Sequence, residues 1–255
     1  MILDKIMETK RKEVELLKEK LKRPEKRYKL MNIRSFKKAV SGRGIKLIAE
    51  TKAASPSAGV IFKDYSPKNI AFVFENAGAS AVSVLTDAKY FHGSIEDIEK
   101  VKTSVQLPVL RKDFIIDSSQ LFESRIAGAD AVLLIARILD EGRLKDLIKI
   151  ARELGMDALV EVHSAKEAVL AIEAGAEIIG INNRDLDTLK IDLKTTLNII
   201  NNVPELKNKI IVSESGIKSK ADIDLLKGAG VNAVLVGEAI LKSKNITEKI
   251  KELIG

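Results

Sequence analysis

The stretch Ala127-Gly128-Ala129-Asp130-Ala131-Val132-Leu133-Leu134-Ile135 carries the pattern on which the fold turns. A glycine after a helical stretch takes the left-handed conformation that ends the helix, and the chain can extend within a few residues. The apolar run that follows is too short for a helix. It is also too continuously apolar for a strand with one face in water, so a parallel strand buried on both faces fits best. The same punctuation recurs at Ala77-Gly78-Ala79, ahead of the run 81–86, and at Ala174-Gly175-Ala176, ahead of 178–182. Gly155 and Gly230 stand in the same relation to 157–162 and 233–237, without the flanking alanines. Runs at 46–51, 108–112 and 209–213 bring the strands to eight, with helical spacing between them, as in 142–154 and 164–174. Strand alternating with helix means βα units, and eight in roughly 210 residues predict an α/β fold of the (β/α)8 TIM-barrel type. An open doubly wound sheet is the rival. It loses ground because Lys52-Ala53-Ala54-Ser55-Pro56-Ser57, after the first strand, is not a dinucleotide glycine fingerprint.

The 255 residues carry a net charge of +7 and a sequence pI of about 9.3, which invites a nucleic-acid reading until the charge is located. Residues 1–44 hold a net +9, and the remainder a net −2. The basic excess therefore belongs to a segment ahead of the first strand, and the rest of the chain is close to neutral. In that segment Ile2, Ile6, Leu16, Leu17 and Leu21 recur at helical spacing, Pro24 marks a stop, and 35–40 begins a second short helix. The expectation is an N-terminal helical extension, 1–44, packed across a single catalytic barrel domain, 45–255. No nucleic-acid partner is expected. The absence of Cys excludes disulfides, thiolate nucleophiles and Cys-based metal sites. The longest apolar runs fall far short of the ~20 residues of a membrane span. Met1-Ile2-Leu3-Asp4-Lys5 lacks the layout of a secretion signal, so a cytoplasmic location without membrane association is expected.

In a parallel barrel, polar residues at the C-terminal strand ends face the active site. Six of the eight strands end in charged or amide groups: Glu50-Thr51-Lys52, Arg111-Lys112-Asp113, Glu161-Val162-His163, Asn182-Asn183-Arg184, Ser213-Glu214-Ser215 and Gly237-Glu238. Carboxylates (Glu50, Glu161, Glu214) and lysines (Lys52, Lys112) meeting in one pocket would shift one another's pKa values and allow proton transfer near neutrality. Gly216 and Gly237, ending the seventh and eighth strands, are placed for a phosphate cradle. His92 and His163 show no metal-ligand spacing and read as polar loop residues. Neither a metal nor a cofactor is expected, and the natural ligand is a small sugar phosphate.

At these residues the sequence resembles the indole-3-glycerol-phosphate synthase family. The segments that carry the likeness are Ile48-Ala49-Glu50-Thr51-Lys52 with Ser55-Pro56-Ser57, Ser83-Val84-Leu85-Thr86-Asp87, and Tyr90-Phe91-His92-Gly93. Pro108 through Ile115, Leu159-Val160-Glu161-Val162-His163, Gly180 through Leu186 and Ser213-Glu214-Ser215-Gly216-Ile217 continue it along nearly the whole chain. The resemblance implies a carboxy-lyase of tryptophan biosynthesis. Its reaction closes the ring of 1-(2-carboxyphenylamino)-1-deoxyribulose 5-phosphate, with loss of CO2 and then water, to give indole-3-glycerol phosphate. By this likeness Lys112 matches the general acid on the carbonyl, and Lys52 the partner of the substrate carboxylate. Glu161 matches the acid/base of dehydration, while Glu50 and Asn182 match orienting residues. Ser55, Glu214, Ser215, Gly216, Gly237 and Glu238 match substrate or phosphate contacts, and Arg184 a basic residue near them. Phe91, Phe114 and Leu133 match an apolar wall for the aromatic ring. A monomer or weak homodimer is expected.

Two residues depart from the family pattern. Thr51 replaces an aliphatic residue and is expected to point outward. Ala53 replaces a basic residue, removing a positive charge beside an anionic substrate, which bears on affinity and phosphate anchoring. The alternative reading keeps the scaffold and redirects it, with a lysine forming a Schiff base to a carbonyl or with native activity weakened.

Overall fold

A computed structural model describes residues 2–21, 30–55, 59–60 and 65–255; Pro24, Pro56 and Ser57 lie outside the described residues. Eight strands form a closed parallel barrel: β1 Lys46–Thr51, β2 Ala81–Leu85, β3 Val109–Lys112, β4 Ala131–Ile135, β5 Asp157–Val162, β6 Ile178–Asn182, β7 Ile210–Glu214 and β8 Ala233–Val236. Each pairs with the next along the chain, and β8 returns to β1. Gly78 and Gly128 end their helices at φ 100° and 95°, as the sequence pattern requires. The barrel strands fall where the apolar runs predicted them. β7 sits one residue later than the run 209–213, and Glu214 is its last member.

Alternation along each strand separates two cores. Outward residues such as Leu47, Ala49, Val82, Val132 and Val160 pack under the surrounding helices. Inward residues such as Ile48, Leu110, Leu159 and Val212 fill the barrel. The strand register stacks the inward positions in layers taken from alternate strands. Ala81, Ala131, Ile178 and Ala233 lie lowest, followed by Ile48, Leu110, Leu159 and Val212. Ser83, Leu133, Gly180 and Leu235 come next. The odd-strand layer above that consists of Glu50, Lys112, Glu161 and Glu214. The interior thus turns from apolar to ionic within one layer, at the C-terminal end.

Below, α2 (Phe36–Ala39) closes the floor: Phe36 and Val40 are fully buried and join the inner cluster. Backbone N–H groups of Arg34 and Lys37 donate to Asp130 at 2.6 Å and Asp157 at 2.8 Å, tying this plug to the bottoms of β4 and β5.

Above, α1 (Ile2–Leu21) lies across the mouth, but its buried stripe differs from the one expected. Ile6, Lys10 and Val14 are the buried residues, whereas Leu16, counted in the predicted apolar face, is 73% exposed. Leu16 stands about 200° around the helix from Val14, so both cannot face the barrel. Lys10 replaces it at the centre of the contact because its ammonium finds Glu13 at 2.7 Å, Asp87 at 2.8 Å and Asp113 at 2.9 Å. Among the described residues no helix is long and apolar enough to cross a membrane.

Candidate active site

A cavity of about 680 Å3 opens at the C-terminal end of the barrel. Every site residue expected from sequence whose side chain is described lines it; Ser55 belongs to the short ribbon of Ala54–Ser55 and Gly59–Val60, and its side chain is outside what is described. The floor is the ionic layer. Lys112 Nζ donates to Glu161 Oε2 at 3.0 Å and to Glu214 Oε2 at 3.1 Å, and Lys52 Nζ donates to Glu50 Oε1 at 2.5 Å. Two glycines make room for these carboxylates. A Cβ on Gly180 would stand 2.2 Å from Glu214 Oε1, and one on Gly237 would stand 2.6 Å from Glu50 Oε1. Gly237 has negative φ and begins the short helix Glu238–Leu241, so the close approach of Glu50 accounts for its lack of a side chain.

Charge in this layer is set collectively. Burial by itself would strip the proton from Lys112, but the fields of Glu161, Glu214 and Glu50 outweigh it and hold the ammonium above the ordinary lysine range. Burial likewise raises Glu161, but Lys112 and His163 bring its carboxyl well below the usual range. Glu214 goes the other way. Burial is the largest influence on it, and repulsion from Glu161 and Glu50 adds to this; together they exceed the pull of Lys112 and push it up to about 7. The layer therefore holds an acid, a base and an exchangeable proton near neutrality, the combination that acid–base catalysis uses.

The walls differ in character. Phe91 and Phe114, with ring centroids 6.3 Å apart and planes at 39°, form an apolar side with Leu133, Ile135 and Leu85. Ser215 and Gly216 after β7 and Gly237 and Glu238 after β8 also line the cavity, as do Lys218, Lys242 and Lys249. Ser215 and Gly216 both have positive φ, 68° and 85°, a costly arrangement for serine. Asn183 pins that turn: its Nδ2 donates to the carbonyls of Glu214 at 2.9 Å and Ser215 at 3.1 Å. Asn182 Oδ1 accepts the Arg184 N–H at 3.0 Å, fixing the chain as it leaves β6. Among the described residues no three His, Asp or Glu side chains are grouped as a metal ion would need.

Several contributors were missed in the sequence. Ile2 and Ile6, both in the apolar stripe expected to pack across the barrel, line the cavity from α1 together with Leu3, which the stripe did not include. Lys218 stands two residues beyond Gly216, so the loop after β7 held a legible hint. His163 is no solvated loop residue. Its side chain is 7% exposed, with Nε2 3.3 Å from Glu161 Oε1 and Nδ1 3.3 Å from Glu167 Oε2. Thr51 does point outward, sharing a hydrogen bond of 2.8 Å with the Tyr65 hydroxyl. Ala53 is buried and not part of the cavity wall, so the cations that serve this pocket stand elsewhere.

A closed parallel barrel with an ionic acid–base layer, an aromatic wall and a basic rim at its C-terminal mouth defines the class: a (β/α)8 enzyme for proton-transfer chemistry on a small anion. The family profile described as indole-3-glycerol phosphate synthase matches residues 3–253. The chain is 50% identical over 258 residues to the indole-3-glycerol phosphate synthase of Endomicrobium trichonymphae, covering 99% of each chain. It is 48% identical over 251 residues to that of Chlorobium phaeovibrioides, covering 96% of each. A solved 3-hexulose-6-phosphate synthase superposes with a TM-score of 0.66 at 17% identity, over 82% of this chain and 98% of that one, a likeness of fold alone. The chain belongs to the indole-3-glycerol phosphate synthase family and is a carboxy-lyase.

Proposed function

We propose that Lys112 is the general acid that protonates the substrate carbonyl as the aromatic ring attacks it. The substrate is 1-(2-carboxyphenylamino)-1-deoxyribulose 5-phosphate and the product indole-3-glycerol phosphate. The observation that carries this reading is the clamp on Lys112: a lysine held charged between Glu161 and Glu214 at the cavity floor is a cationic acid fixed in position. Lys52, held by Glu50, takes the substrate carboxylate and is well placed to let it go as CO2, since its own charge is already shared. Glu161 serves as acid/base in the loss of water, and Asn182 orients the sugar hydroxyls. The anthranilate ring lies against Phe91, Phe114 and Leu133. The phosphate sits on the backbone of Ser215, Gly216 and Gly237, with Arg184 and the lysines of the rim neutralising it; phosphate sites of such barrels commonly follow the seventh and eighth strands. Ser55, Glu214 and Glu238 complete the substrate contacts. In this reading the enzyme is cytoplasmic, a monomer or weak homodimer, with residues 1–44 as the extension that covers a single catalytic domain.

The alternative, Schiff-base chemistry, needs a neutral amine. The carboxylates around Lys112 hold its proton on and weigh against that role. The test is a fluorescence assay for indole-3-glycerol phosphate formed from the synthetic substrate. The wild type is expected to turn over, and Lys112→Ala to lose orders of magnitude in kcat with modest change in KM, because the interaction removed is made in the transition state. Wild-type turnover in Lys112→Ala, or a borohydride-trapped adduct on Lys112 with an aldehyde, would overturn the assignment.

A further inference from the structure

Glu161 has its two carboxylate oxygens divided between two cations. Oε2 accepts from Lys112 at 3.0 Å, and Oε1 faces His163 Nε2 at 3.3 Å. Glu161 is the inward residue next to the end of β5, Val162 packs outward, and His163 follows directly as the chain leaves the strand, which brings its ring to Glu161 Oε1. On the far side of the imidazole, Nδ1 stands 3.3 Å from Glu167 Oε2, which also accepts the His163 backbone N–H at 2.7 Å. Glu167 occupies the first turn of the helix Ala165–Glu173, capped by Ser164, so its position is set by the helix. Side-chain exposure rises along this row from 3% at Glu161 through 7% at His163 to 21% at Glu167. The row therefore runs from the barrel interior outward, past the end of β5. His163 Nε2 is buried and makes no completed hydrogen bond, so a small rotation of the ring onto Oε1 would satisfy it.

The reaction has a proton requirement that this row can meet. The bond to the substrate carboxylate breaks and CO2 leaves. The carbonyl oxygen takes one proton on ring closure and a second as it departs as water, and the neighbouring CH2 gives one up. Net uptake is one proton per turnover. A substrate in the cavity would lie between Glu161 and the mouth, closing that route to solvent.

We propose that His163, braced by Glu167, is a positioning residue for Glu161 that fixes its Oε1 and returns protons to it from the outer side of the barrel. The step is a plain proton transfer: the Nε2–H bond breaks, an O–H bond forms on Glu161, and the ring regains a proton from water beside Glu167. Facing the imidazole are Glu161 from β5 and Glu167 from the helix. Beyond these, Lys112 from β3 faces Glu161, and Arg137, after β4, faces Glu167 while bound to Asp187 at 2.6 Å. Burial would lower His163, but the close approach and attraction of the two glutamates prevail and push it up to about 9, which keeps both ring nitrogens protonated at neutral pH.

This inference rests on the proposed function, and the same assay tests the two separately. Product formation by the wild-type chain tests the function; the variants test His163. His163→Asn is expected to lower kcat roughly 10- to 100-fold, at or below the low end of acid–base contributions, with KM changed less than about threefold. Wild-type kcat should fall as pH rises through the His163 titration, and His163→Asn should lose that limb. Imidazole added to His163→Ala should restore turnover. Glu167→Gln, which keeps His163 in place, should move the alkaline limb to lower pH. Turnover and pH profile of His163→Asn matching an active wild type would overturn the inference. So would a loss in His163→Ala that imidazole leaves unchanged while Glu167→Gln keeps the wild-type profile.

Discussion

Glu214 and Glu161 show how little a residue type says about its charge. Both are buried glutamates that receive a hydrogen bond from the same ammonium. Glu161 has His163 as a second cationic neighbour and stays ionised far into acid, whereas Glu214 feels burial and the carboxylates of Glu161 and Glu50 against Lys112 and is pushed up to about 7. The sign of the resulting stability effect follows from linkage. A carboxyl raised from 4.5 to about 7 on folding contributes stability that is fully present below pH 4.5 and is lost as pH rises through 7. Glu214→Gln removes that titration. Urea midpoints measured from pH 4.5 to 8 should show the variant gaining on the wild type as pH rises, with the gain complete above 7. Parallel curves would mean that Glu214 titrates as an ordinary carboxyl.

At the scale of elements, the feature that sets the site is the junction of α1 with the ends of β2 and β3. Lys10 is 2% exposed and bridges Asp87 after β2 to Asp113 after β3, the residue next to Lys112. Asp113 is further held by Arg111 at 3.2 Å and by the Thr86 hydroxyl at 2.5 Å. Burial raises its carboxyl, yet Arg111 and Lys10 bring it down to about 2. Lys10→Met would leave two buried aspartates short of a cation, and removing one partner of a buried ion pair costs about 3–5 kcal/mol. The expected result is a lower denaturation midpoint by circular dichroism, with a loss of this size. A loss below about 1 kcal/mol would mean that the helix merely rests on the barrel.

Across the whole molecule, the barrel is a column whose two ends do different things. Apolar layers carry the stability, Phe36 stops the lower end, and the ionic layer occupies the upper end, so floor and mouth can be perturbed independently. Phe36→Ala is expected to cost about 3–5 kcal/mol, the usual range for truncating a buried phenylalanine. Turnover per folded molecule should change less than about twofold. Guanidinium melts and kcat on the same preparation check both parts. A large fall in kcat with an unchanged melt would mean that the floor is coupled to the mouth.

Much of this was legible in one dimension. Glycine-punctuated apolar runs place the strands, and period-two alternation puts Glu50, Lys112, Glu161 and Glu214 inward at strand ends, because side-chain direction along a strand is a local property. The sequence by itself therefore determined the barrel and the composition of its ionic layer. Lys10 shows where such reading stops: in its helix it looks like a solvated lysine, and only Asp87 and Asp113, brought beside it by the closure of the barrel, make its burial possible. His163 is the same case, a residue after a strand end until Glu167 and Glu161 are found on either side of the ring. The stripe of Ile2 and Ile6 was legible as a packing face, but that it lines the cavity itself is seen only in three dimensions. The tertiary structure decided which charges are buried and which protons are held, because Coulomb energy depends on the separation of groups in space and on exclusion of water, and neither is recorded in their order along the chain.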